Sequence, residues 1–207
     1  MTRDPSTPSF EARTALILHR PHANTEALER QCARIGLSTV TVWPEIAPAD
    51  LEGGIDILFF DADMGHDGQF PWAAGAAPVP TIALIGSEAP GRITWAVSHG
   101  ADAQLLKPIG SSGVYSALVI ATRAFSRRTA LEAKVAALNE RLANRELIAE
   151  ATAVLMVRHA VSAAKAYASL RVMAMETRRS IDDAARAILN ETGLAATGTT
   201  GGPRHGG

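Results

Sequence analysis

The 207-residue chain has one cysteine, Cys32. A lone thiol excludes an internal disulfide and a cysteine-based zinc site, fits a reducing compartment, and is expected to act as a small buried apolar residue. No apolar run reaches the roughly 18 to 20 residues that span a bilayer. The opening MTRDPSTPSF has neither the basic start nor the apolar stretch of a signal peptide. A cytoplasmic location without a membrane partner is therefore expected. Enzyme signatures are missing as well. The six histidines are scattered, and no His-Glu pair at helical spacing, phosphate-cradling glycine loop or nucleophile beside a base is present. Neither catalysis nor a cofactor or bound metal is expected.

What is there suffices for a globular core, since 47% of the residues are hydrophobic. Net charge is only −1, but this average hides a division. Residues 1–122 hold 7 Lys and Arg against 13 Asp and Glu, a balance of −6. Residues 123–193 hold 12 against 8, or +4. An acidic front joined to a basic back implies that the back half meets a polyanion.

Along the front half, short apolar runs alternate with helical patterns. TALIL (14–18), TVTVW (39–43), IDILFF (55–60), TIALIG (81–86) and AQLLK (103–107) read as strands. Between them lie helix-length stretches such as NTEALERQCARIG, which Gly36 is placed to stop. The expected fold class is α/β, a doubly wound, five-stranded parallel sheet with helices on both faces, its functional edge at the strands' carboxyl ends. Residues 1–12 and the tail 194–207, rich in Gly and Thr, are expected to be disordered.

Asp61 follows the third strand, and Lys107 with Pro108 follows the fifth. In that pairing the front half, 13–122, resembles the receiver domain of response regulators, whose phosphorylated aspartate ends the third strand. The resemblance implies a flavodoxin-like fold and a pocket containing Asp61, Lys107 and Pro108. It also implies two acidic residues after the first strand to hold Mg²⁺, a hard cation that favours carboxylate oxygens. His19 and Arg20 stand there instead. The hydroxyl residue that the resemblance implies after the fourth strand is replaced by Ile85 and Gly86, with Ser87 one step beyond. Asp63 and Asp67 are the nearby carboxylates that could substitute in part. A receiver-shaped domain that does not run a phosphorylation cycle is expected, with Asp61 as phosphoacceptor kept as the alternative. His19 and His22 read as solvated loop histidines.

From Val114 to Arg158 there is no glycine or proline. Leu131, Val135, Leu138 and Leu142 are spaced 4, 3 and 4, the alternation of a coiled-coil seam. Residues 123–145 therefore read as a connector that dimerises, although Arg145 falls on the next seam position. After it the stripe moves to Leu147, Ile148, Ala151, Val154 and Leu155, which turns a different face inward. A second helix starts at Ser162 with Ala166, Tyr167, Leu170 and Ala174 on one face. A third starts at the capping-box pair Ser180 and Asp183 and is closed by Gly193. Three small helices over 146–193 follow, with Tyr167 read as core.

The stretch NRELIAEATAVLMVRHAVSAAKAYASLRVMAMETRRSIDDAARAIL resembles the ANTAR module, an RNA-binding three-helix domain. The family commonly has Lys-Gly after the alanine at Ala151, where this chain has Thr152 and Ala153. With the receiver-like front and the coiled coil, the whole chain resembles the AmiR and NasT type of transcription antiterminator. That resemblance implies binding of leader RNA with paired stem-loops, and control through the front domain by a ligand-sensing regulatory protein. Folded RNA is held by cations on phosphates and by stacking on splayed bases. The candidate contacts are Arg145, Arg158, His159, Lys165, Arg171, Arg178 and Arg179. Two alternatives stay open: a phosphorylation-controlled response regulator with RNA- or DNA-binding output, and a DNA-binding regulator using the basic helices.

Overall fold

The structure, a computed structural model, describes residues 8–193. The chain divides into two compact units after Leu131. The first is built on β1 (Thr14–Leu18), β2 (Ser38–Val42), β3 (Ile57–Asp61), β4 (Thr81–Ile85) and β5 (Ala103–Leu106). All pairings are parallel, in the order β2-β1-β3-β4-β5, with Leu16 opposite both Val40 and Leu58. Every residue of β3 and β4 is buried, as expected for central strands covered on both faces, whereas β2 and β5 are exposed edges.

On one face α1 (Ala23–Arg34) and the first turns of α3 (Val114–His159) pack Leu28, Cys32, Leu118 and Ala121 against Ile17, Phe59 and Ile82. Burial pushes the Cys32 thiol up to about 12, aided by nearby Glu29, so it remains a neutral thiol. Gly36, at φ +78°, ends the α1 turn in the left-handed region. The other face is covered differently from the sequence expectation. Only α2 (Pro90–Ser98) is a helix there, because the β2–β3 and β3–β4 connections carry just the short 3-10 turns Pro48–Leu51 and Asp67–Gln69. Gly65, Gly68, Pro71, Gly75, Pro78 and Pro80 interrupt any helix in the second connection. Aromatic rings fill the space instead. Phe70 stacks on Trp72 and Trp95 at 5.7 and 6.3 Å, with Phe60 edge-on at 5.5 Å.

The N-terminal expectation also needs correction. Residues 8–12 are ordered, and Phe10, only 2% exposed, belongs to the core beside Ile17 and Leu28. Tyr115 meets it edge-on at 5.9 Å and donates its hydroxyl hydrogen to the Pro8 carbonyl. One aromatic residue in a polar stretch carries no periodicity, which is why the segment reads as disordered. Residues 1–7 and the tail 194–207 lie outside the described residues.

The second unit gathers the last turns of α3 with α4 (Ala163–Glu176) and α5 (Ile181–Glu191) around Ala151, Leu155, Ala166, Leu170, Ala185 and Ile188. Small residues at Ala151, Ala166 and Ala185 let the helices approach closely. Ser180 and Asp183 form the expected capping box, and Gly193 follows α5 at φ +70°. Ser162 holds the N-cap position of α4 by backbone conformation, but its side chain makes no capping bond. Tyr167 is not core: it is 43% exposed. Among the described residues, no single helix is long and apolar enough to cross a membrane.

Candidate functional site

Asp61 is the last residue of β3, and Lys107 follows β5 immediately, so the parallel strand ends bring them together. Lys107 Nζ donates to Asp61 Oδ1 at 2.7 Å and contacts Asp63 Oδ2 at 2.5 Å. The amides of Gly86 and Ser87 donate to Asp63 Oδ2 and Oδ1 at 2.8 and 3.0 Å. Burial pushes the Asp63 carboxyl up, but the Lys107 ammonium and these two amides outweigh it and hold the group below its ordinary value. A Cβ at Gly86 would stand 2.8 Å from Asp63 Oδ2, so a larger residue here would oblige that carboxylate to shift. The hydroxyl residue that the resemblance implies is absent from this position, and Ser87 contributes its backbone amide.

His19 is not a solvated loop residue but is 2% exposed. Its Nδ1 donates to the Arg20 carbonyl at 2.6 Å, and its Nε2 faces Asp61 Oδ2 at 3.3 Å without hydrogen-bond alignment. The sequence hides this because His19 follows an apolar strand by one residue, and only the neighbouring strand supplies its partner. His22 is the α1 N-cap, accepting from the Asn24 amide. Asp67 does not reach the pocket. It accepts from Trp95 Nε1 at 2.8 Å on the aromatic face. Asp61 and Asp63 therefore face an ammonium, an imidazole and three amides, the Asp63 amide donating to Asp61 Oδ1 at 3.0 Å, and a divalent cation does not fit a site whose carboxylates are already engaged in this way. Pro108 joins Lys107 through a cis peptide bond.

In the second unit, Arg145, Arg158, His159, Lys165, Arg171, Arg178 and Arg179 are all exposed. Arg158 pairs with Glu191 at 3.4 Å, and Arg179 interacts electrostatically with Asp183. Arg178 and Arg179 form the turn between α4 and α5, with Arg178 at φ +53°. Their amides donate to the carbonyls of Met175 and Ala174, which closes the end of α4 in the Schellman pattern. That left-handed position is one where glycine is ordinarily preferred. Arg179 shares a polar groove with Asp183, Arg186 and Asn190, of which Arg186 and Asn190 were not among the contacts expected from sequence. They sit one turn apart on the polar face of α5, a spacing that gives the only prior signal. Leu131, Val135, Leu138 and Leu142 are 48–58% exposed in the single chain, an apolar stripe left unpaired on α3.

Residues 13–122 match the AmiR N-terminal family, more than half of the chain, and residues 136–189 match the ANTAR domain. The chain belongs to the AmiR family. The Pseudomonas aeruginosa aliphatic amidase regulator is 29% identical over 184 residues, covering 87% of this chain and 93% of that protein. The Mycobacterium tuberculosis transcriptional regulatory protein PdtaR is 31% identical over 141 residues, covering 67% and 69%. A response regulator structure from Thermotoga maritima aligns at a TM-score of 0.40, with 16% identity over 51% of this chain and 93% of that one. The fold assignment of this AmiR-family chain rests on its own strand order rather than on that alignment.

Proposed function

We propose that this chain is a transcription antitermination regulator that binds stem-loop leader RNA through its ANTAR domain. The observation that carries the reading is the set of seven exposed basic side chains on a unit whose buried core is made of small and aliphatic residues. Cations that serve no packing role and mostly lack carboxylate partners are available for phosphates. Arg178 adds support, because holding a non-glycine residue in the left-handed region costs about 1 kcal/mol or more, and such strain is a pointer to function.

Control enters through the receiver-like unit. With Lys107 bridging Asp61 and Asp63, the unit offers a surface to a ligand-sensing regulatory protein rather than a phosphate acceptor. The exposed α3 stripe supports a homodimer in which two ANTAR units grip two RNA loops, and linkage raises the effective concentration of the second contact. Such a regulator works in the cytoplasm, and its function calls for no catalysis.

Selection of RNAs from a leader library by the full chain tests the reading. Hairpin-bearing sequences should be recovered and should outcompete duplex DNA at physiological salt. Equal, salt-labile binding to both would sink it. Arg178→Ala with Arg179→Ala should weaken hairpin binding by an order of magnitude or more while fold and assembly persist. For the input, incubation with a small-molecule phosphodonor and Mg²⁺ should leave the intact mass unchanged, and a phosphoryl adduct would favour the phosphorylation-controlled alternative.

A further inference from the structure

Between α3 and the start of α4 lies a groove of about 480 Å³. Ile148 and Met156 line it with aliphatic surface, Ala149 and Ala153 leave it open, and Arg145 and Tyr167 also border it. The spacing explains the arrangement. Positions 145, 148, 149, 152, 153 and 156 recur on one side of α3, while Tyr167 stands one turn after Ala163 on α4.

Tyr167 has the marks of a group reserved for a ligand. It is 43% exposed beside an apolar surface, its hydroxyl bonds to no described residue, and no other aromatic ring packs on it among those residues. Arg145 likewise has no ion-pair partner among the described residues and is exposed. An unpaired ring, an unpaired guanidinium and an aliphatic wall match the parts of one unstacked nucleotide: a planar base and its phosphate.

A second copy of the chain is the rival occupant, because the 4-3 spacing of the α3 stripe continues from Leu142 through Arg145, Ala149, Thr152 and Met156. Charge decides against it. A parallel pairing extended to this level would set Arg145 of each copy against the other and bring like charges together in the seam. A polyanion meets that arginine favourably.

Building on the RNA reading above, we propose that this groove receives one splayed base of the bound RNA loop, stacked on Tyr167, with its phosphate at Arg145. The test is a double-mutant cycle on a hairpin recovered by the full chain. Tyr167→Leu should weaken binding roughly 5- to 150-fold, the range for losing one aromatic–base stack. Tyr167→Phe should bind as the parent does. Removing the base at one particular loop position should cost as much as Tyr167→Leu, and the two changes together should cost no more than either alone. Abasic changes elsewhere should add in full. Arg145→Ala should reduce the salt dependence by about one phosphate contact.

Three outcomes overturn the assignment: Tyr167→Leu binding unchanged, additivity at every loop position, or a shift of Tyr167→Leu toward monomer, which would give the groove to a second copy. Each leaves RNA binding itself intact. Failure to recover any hairpin removes the RNA reading and this assignment together.

Discussion

The ammonium of Lys107 lies 2.7 Å from Oδ1 of Asp61, although 46 residues separate them in the chain. With Asp63 engaged by the same ammonium, the contact ties the carboxyl ends of β3 and β5 and the loop after β4 into one ionic latch. Asp61 is 2% exposed and the Lys107 side chain 11%, so solvent does little to screen the charges.

Removing the cation should therefore be costly. Lys107→Ala is expected to destabilise the first unit by about 3 to 5 kcal/mol, since it leaves a buried carboxylate uncompensated. Adding Asp61→Asn to that variant should recover part of the loss. Urea denaturation followed by tryptophan fluorescence measures both, and a loss below about 1 kcal/mol would show that the latch contributes little.

The latch also predicts a pH dependence. Asp63 is held below its ordinary value of 3.8, so its contribution is fully present above that value and disappears as pH falls through the lower folded value. Thermal melts between pH 6 and 2.5 should show this limb in the parent chain. Asp63→Asn should flatten it, and an unchanged acid profile would disprove the assignment.

Phe10 fills the core at 2% exposure. Phe10→Ala should cost about 3 to 5 kcal/mol through lost burial and the cavity left behind, and deletion of residues 1–12 should cost at least as much. Both are read from denaturant midpoints. Truncation without effect would contradict the ordered N-terminal segment.

The turn between α4 and α5 separates stability from binding. Arg178 at φ +53° carries strain that glycine would relieve, less the entropy glycine loses on folding. Arg178→Gly should stabilise by about 0.5 to 1 kcal/mol. It should nevertheless bind hairpin RNA more weakly. Calorimetric melts and titration of the same preparation give both signs, and a variant that gains stability with unchanged affinity would remove Arg178 from the contact surface.

The α3 stripe predicts assembly. The parent chain should sediment as a dimer, and Val135→Glu with Leu138→Glu should sediment as a monomer, because facing carboxylates would then occupy the seam. A monomeric parent would leave the stripe without the proposed role.

Much of this protein was legible from local pattern. Apolar runs placed the five strands, the absence of glycine and proline from Val114 to Arg158 announced the long helix, and the Ser180–Asp183 spacing marked the capping box of α5. These features depend on neighbours within about a turn or a strand, so residue order alone determines them. The Asp61–Lys107 pairing was visible too, because strand ends of a parallel sheet converge. Only the tertiary structure decided the rest. It buried His19 against Asp61, placed Phe10 in the core, tied Asp63 rather than Asp67 to Lys107, put rings of Phe70 and Trp72 where crossover helices were expected, and left Tyr167 beside a groove. Each outcome depends on which distant segments compete for the same space, and burial and ion pairing are properties of that assembled surface rather than of any stretch of chain.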